Sequence, residues 1–292
     1  FSIGTRFSNR DGDEINKYID YDSQSNEIQR TERIESSSDD SENLSYNLSY
    51  TKNFEKKGHN LKFNFSWSDN ISKNTGDYKE NVRDLVQDSR SDGNRYDQNI
   101  RVDYTHPINN NKGKIELGYK RDYDKMSNNY NAGQWFGSNY RTILSNVYDY
   151  YQDVNAFYLQ AGNKTGKFSY QLGVRYEDTD FYAIMEEDNE EQTLKYSNWF
   201  PSAFFTYELS DNTSFQLSYS KRLRRPRFWD LNPFWGLSDG RFNWEGNPFL
   251  EPELTDSYEL GFLKEFKSGN IYVGTYYRYT KDEIERIFDV ND

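Results

Sequence analysis

The feature that most restricts this chain is a two-residue hydrophobic period that returns in segment after segment. Leu44, Tyr46, Leu48 and Tyr50 alternate with Ser45, Asn47, Ser49 and Thr51, and Leu61, Phe63, Phe65 and Trp67 alternate with Lys62, Asn64, Ser66 and Ser68. The rhythm recurs in Ile100, Val102 and Tyr104, in Ile115, Leu117 and Tyr119, and in Phe168, Tyr170, Leu172, Val174 and Tyr176. It continues through Ala203, Phe205, Tyr207 and Leu209, then Phe215, Leu217 and Tyr219, then Tyr258, Leu260 and Phe262, and last Ile271, Val273, Thr275, Tyr277 and Tyr279. Successive side chains of a strand point to opposite faces, so each run builds one apolar and one polar face. No helical period competes.

Composition decides what those faces meet. Only 34% of the 292 residues are hydrophobic and the mean hydropathy is -1.11, values expected of a soluble or disordered chain. Yet 18% are aromatic, and rings drive burial. A transmembrane β-barrel reconciles the two, because only every second strand residue faces lipid while the lumen and outer loops are wet. No apolar run reaches the roughly 20 residues of a spanning helix. The predicted fold is therefore all-β, an antiparallel up-and-down transmembrane β-barrel, with outer-membrane lipid as its surrounding partner.

The connections predict its orientation. Short turns rich in Gly, Asn, Asp and Lys fall at residues 55–58, 109–113, 163–166, 210–212 and 267–270. Long polar connections are expected at 79–93, 131–142, 186–196 and 223–253, with a shorter one near 22–27. Outer-membrane barrels put short turns in the periplasm and long loops outside. Residues 32–43 are almost wholly polar and predict a hairpin that continues above the membrane. The count is about eleven strands, an odd number where single-chain bacterial barrels have an even one. With no initiating Met or signal peptide, residues 1–292 are expected to be one partial barrel domain, truncated at both ends and lacking a plug.

Charge and motifs exclude several activities. A net charge of -12 leaves no basic stripe for phosphates, so no nucleic-acid partner is expected. Cysteine is absent, which removes thiolate metal sites and thiol nucleophiles. There is no nucleophile elbow, phosphate-cradling glycine loop or His-Glu-x-x-His, so no enzyme, cofactor or metal site is predicted. The acidic run Glu186, Glu187, Asp188, Glu190 and Glu191 reads as a solvated hairpin tip, since it lacks the ligand spacing of a calcium loop. His59 and His106 read as isolated turn residues.

Residues 219–261 break the alternation. They carry Tyr219 to Arg222, then Arg225 and Pro226, then Leu231, Asn232, Pro233 and Phe234. Gly246, Asn247, Pro248, Phe249, Leu250, Glu251, Pro252 and Glu253 follow, before Ser257 to Gly261. This succession resembles the late barrel region of TonB-dependent outer-membrane receptors, and its Leu-Asn-Pro-Phe element resembles the outer-membrane β-barrel family common in Bacteroidota. The resemblance implies a barrel of about 22 strands, closed by an N-terminal plug and energised through TonB. Physically, prolines fix φ and remove donors, so Pro226, Pro233, Pro248 and Pro252 end the strand and fold the loop back. Glu253 and Glu259 are expected to face Arg222, Arg224 or Arg225. Arg225, Pro226, Asn232, Pro233, Gly246, Asn247, Pro248, Pro252 and Glu253 read as architectural.

Trp229, Phe234, Trp235, Phe242 and Trp244 crowd the same loop and are the candidate contacts for an extracellular ligand, through stacking. Loop packing and an interfacial aromatic girdle compete for those rings. The expected function is a receptor barrel for TonB-dependent uptake of an unidentified ligand. The alternatives are a surface binding or adhesion scaffold without active transport and, third, a soluble β-rich binding protein.

Overall fold

A computed structural model describes the chain except residues 83–84, 187–189, 233–236, 238–244 and 288–292. Eleven strands run in sequence: β1 (Ser2–Tyr21), β2 (Glu27–Asn53), β3 (Asn60–Glu80), β4 (Leu85–Ile108), β5 (Gly113–Phe136), β6 (Asn139–Thr165), β7 (Phe168–Met185), β8 (Glu190–Ser210), β9 (Thr213–Arg224), β10 (Glu253–Phe266) and β11 (Gly269–Lys281). They form one antiparallel sheet in the order β1 to β11, each strand bonded to its neighbours in sequence. The one α-helix among the described residues, α1 (Phe228–Leu231), lies between β9 and β10.

The register puts the alternating residues where the period requires. Phe157 of β6 stands opposite Tyr176 of β7, which stands opposite Trp199 of β8. On that face Phe157, Leu159, Leu172, Val174, Trp199 and Leu217 are all exposed. The opposite face of β6 and β7 carries Tyr148, Tyr150, Phe181, Ala183 and Met185, which pack with Phe228 and Leu231 of the folded-back loop. The first is the lipid face and the second the lumen. Rings join across strands along the lipid face: Tyr46 with Trp67 at 5.1 Å, Trp67 with Tyr96 at 5.7 Å, Tyr176 with Trp199 at 4.9 Å and Tyr219 with Tyr258 at 4.9 Å. This is the aromatic girdle of an outer-membrane wall.

Tight turns close one end. Gly58 and Gly166 take φ of 81° and 59°, a region open to glycine without a Cβ clash. The other end departs from expectation. The connection placed at 79–93 is a turn between Glu80 and Leu85, and the one placed at 131–142 shrinks to residues 137 and 138. The one placed at 186–196 lies between Met185 and Glu190. Apart from Glu186 and Glu191, side chains of the acidic run lie outside the described residues. Ser, Asn, Asp and Gly are poor strand formers, yet a hairpin wet on both faces accepts them because its backbone bonds are met by neighbouring strands. Only 225–252 remains long. The asymmetry between the two ends therefore lies in polar strand extensions more than in loop length.

β2 has 27 residues and β6 has 27, more than twice the 9–11 that span a bilayer. Residues 33–43 of β2 pair with β1 on one side and β3 on the other. Their amides are expected to exchange orders of magnitude more slowly than those of a disordered loop. Exchange at loop rates in a mass-spectrometric time course would rule out the tall hairpin.

The histidines correct a second expectation. His59 stacks on Phe54 at 4.0 Å, its Nε2 lies 2.9 Å from the Tyr104 hydroxyl, and His106 Nδ1 lies 3.3 Å from the same hydroxyl. They form one cluster at the short-turn end. Partial burial, with His106 and Lys56 nearby, holds His59 below the ordinary imidazole range.

Candidate functional site

The site is built where the 225–252 loop meets the luminal face above the girdle. Beyond Arg224 the chain leaves the sheet at Pro226, which has no N–H to continue the ladder. Arg225 anchors the departure: its Nη2 donates to Glu177 Oε2 at 2.6 Å and to Thr179 Oγ1 at 3.0 Å. Glu177 also accepts from Arg175 at 2.6 Å, so one largely buried carboxylate serves two guanidinium groups. Charge-assisted bonds of this length are the strong class.

Past this anchor α1 turns inward. Asp230 caps it by accepting from the Arg227 N–H at 2.9 Å, and Phe228 and Leu231 enter the cluster around Tyr148 and Tyr150. The second half of the motif docks on the first. Gly246 N–H donates to the Asn232 carbonyl at 3.0 Å, and Asn247 N–H to the Asp230 carbonyl at 2.8 Å. A Cβ on Gly246 would sit 2.5 Å from the Asn232 carbonyl oxygen, so no larger residue fits. The Asn247 side chain accepts from the Phe249 N–H at 2.9 Å, fixing the turn at Pro248, and Leu250 packs on the cluster. After Pro252, Glu253 restarts the sheet. Its Oε1 takes Arg224 Nη1 at 2.8 Å and the Ile284 N–H at 2.7 Å.

The charge pairs differ in part from those expected. Arg224 meets Glu253, but Arg225 reaches Glu177, a residue 48 positions away, and Glu259 lies 3.9 Å from Arg278 of β11. Arg222 stands opposite Thr255. The cause is register: Glu259 pairs with Ser218, below the basic end of β9. Of the five candidate aromatic contacts, Trp229 is about half exposed and packs edge-on against Phe228 at 5.0 Å. Phe234, Trp235, Phe242 and Trp244, with Pro233, lie outside the described residues.

Trp229 roofs a cavity of about 590 Å³ between the loop and the inner face of β1 to β5, with Glu14, Glu35, Tyr78 and Tyr130 among its walls. The Leu237 N–H donates to the Tyr130 hydroxyl at 2.6 Å, tying the loop to the wall. Burial pushes the Tyr78 and Tyr130 phenols up. Glu35 is raised too, first by burial and then by the facing Glu14 carboxylate. Next to it Arg33, 1% exposed, pairs with Glu80 at 3.1 Å and stacks over Tyr78. The sequence reading misses these wall residues because only the register of the polar strands brings them onto one face. Among the described residues no group of three or more His, Cys, Asp or Glu is placed to hold a metal ion.

Glu253 is the most exacting polar position of the motif. Glu253→Gln keeps an acceptor and is expected to be mild, whereas Glu253→Ala strands the Ile284 N–H and frees Arg224, costing about 1–3 kcal/mol. A urea titration of the refolded protein in detergent separates the two.

Comparison with known proteins matches this architecture. No curated protein matches the chain. Among solved structures, the ferric citrate transporter FecA in the unliganded form superposes with a TM-score of 0.59 at 12% identity, over 97% of this chain and 45% of that one. The copper transporter OprC gives 0.56 at 11% identity, over 94% of this chain and 49% of that one. At such identities the likeness is one of fold. The chain spans about half the length of either structure. The sequence profile of the Outer membrane protein beta-barrel family matches residues 52–292. With girdle, apolar outer face and up-and-down strands in agreement with that profile, the chain belongs to the Outer membrane protein beta-barrel family and its wall lies in the bacterial outer membrane.

Proposed function

We propose that the chain is part of a receptor barrel for TonB-dependent uptake of an extracellular ligand. The observation that carries the reading is the 225–252 loop, which folds onto the luminal face and roofs a cavity with Trp229. A scaffold built for display has no need to turn its longest loop inward. The fold shared with a ferric citrate transporter and a copper transporter supports the same reading. A plug and a TonB-contacting segment would then be supplied by residues beyond these 292. No catalytic step is assigned to the barrel.

One observation favours the second reading, a surface binding scaffold without active transport: the strands rise far beyond the girdle as a polar wall. The readings separate without knowledge of the ligand. Full-length protein purified from outer membranes is passed over an immobilised periplasmic domain of TonB. Saturable binding is expected for an uptake receptor. A correctly inserted full-length protein that does not bind TonB would support the scaffold instead.

A further inference from the structure

The cavity under Trp229 has a construction that follows from three successive rungs of the sheet. The middle rung is made of small residues: Gly12 faces Ser37, Ser37 faces Gly76, Gly76 faces Ser89 and Ser89 faces Ala132. With so little side chain on that rung, the wall is hollow there. The rung above sets Glu14 opposite Glu35 and Glu35 opposite Tyr78. The rung below carries Asp39, Asn74, Ser91 and Tyr130. Trp229, Asn232 and Leu237 close the space from the loop.

One feature of this arrangement favours a cationic occupant. Like charges directly opposite across a ladder destabilise it, and Glu14 and Glu35 are so placed. Arg33 offsets part of the charge on Glu35, yet it is engaged with Glu80 and lies outside the cavity lining, and Arg10 stands opposite Asp39 two rungs below the pair. No Lys, Arg or His is among the described residues that line the space.

We propose that this cavity binds an organic cation, an alkylammonium or guanidinium carried by a peptide-like ligand, between the Glu14 and Glu35 carboxylates and the rings of Tyr78, Tyr130 and Trp229. A cation relieves the carboxylate repulsion that a neutral sugar leaves in place and an anionic chelate worsens. Ring faces attract ammonium and guanidinium groups. A bare metal ion is disfavoured because no group of three or more candidate ligand side chains is placed to hold one among the described residues. The inference names the ligand class for the uptake reading and rests on it only for the route taken after binding.

The test uses full-length protein purified from outer membranes in detergent, titrated calorimetrically with trilysine, maltotriose, citrate and calcium ion. Trilysine is expected to bind most tightly, to weaken at least about tenfold in the double variant Glu14→Gln, Glu35→Gln, and to change less than about twofold in Asp77→Asn, which removes a charge from the outward face of β3. Because the double variant loses a repulsion, it should fold at least as well as the parent. Tighter binding of maltotriose, citrate or calcium, no binding of any probe, or unchanged trilysine affinity in the double variant would overturn the proposal. Binding here needs no TonB. A protein that takes trilysine but not TonB therefore removes the uptake reading alone, and one that takes TonB but not trilysine removes the cation site alone.

Discussion

Leu172→Arg is expected to block stable insertion of the barrel, while Gln171→Arg, one residue away, leaves it nearly unchanged. Leu172 stands opposite Ala161 and Ala203, midway between Phe168 at the turn and Tyr176 in the girdle, on the lipid face and about half exposed. A cationic side chain at the bilayer midplane of such a wall costs about 2–4 kcal/mol. Gln171 faces the lumen opposite Gly162 and Phe204, where water and the polar wall solvate a guanidinium. The whole difference comes from the two-residue period. Folding into lipid vesicles over a urea series measures both variants. Equal loss in the two would mean that the faces of β7 are not divided as described.

The second large effect is release of the loop. Phe228→Ala with Leu231→Ala removes the two side chains that seat α1 against Tyr148, Tyr150, Phe181 and Met185. Leu231 is 2% exposed, and truncations of this kind each cost about 2–5 kcal/mol in a packed core. The described residues of the loop contribute no strand, so the loss falls on its docking and not on the sheet. Arg225→Met should act in the same direction by leaving Glu177 with Arg175 alone and removing the bond to Thr179. In both variants residues 226–232 and 245–250 should become open to added protease and to hydrogen exchange while β1 to β9 keep their protection. A loop still protected in the double alanine variant would place its anchorage elsewhere.

What could be read in the sequence was whatever depends on neighbouring residues. The strand period at Leu44 to Tyr50 and at Phe168 to Tyr176 named the lipid face, and the Gly-containing turns at 58 and 166 sit where hairpin chemistry put them. The tops of the strands were not legible, since Ser89, Asp92 and Asn94 carry no apolar alternation and hold their conformation through the ladders to β3 and β5. Residues 32–43 were the exception, because β2 continues unbroken from an apolar base. Side-chain partners set by register were hidden as well. Arg225 with Glu177, and His59 with Tyr104 and His106, join residues 48 and 45 or more positions apart. Glu14 and Glu35 look like ordinary solvated charges until the register sets them face to face. The loop motif marked its own importance through its prolines and Gly246, but not that it folds inward.

The most direct measurement of the membrane wall uses the absence of cysteine from the chain. Single cysteines at each of residues 168–176 and 34–41, spin-labelled in full-length protein in lipid vesicles, report contact with oxygen in lipid or with a nickel chelate in water. Even positions of 168–176 should collide with oxygen and odd positions with nickel, while 34–41 should collide with nickel on both faces. Absence of the two-residue alternation over 168–176, or lipid exposure anywhere in 34–41, would contradict an outer-membrane wall continued upward by polar strands.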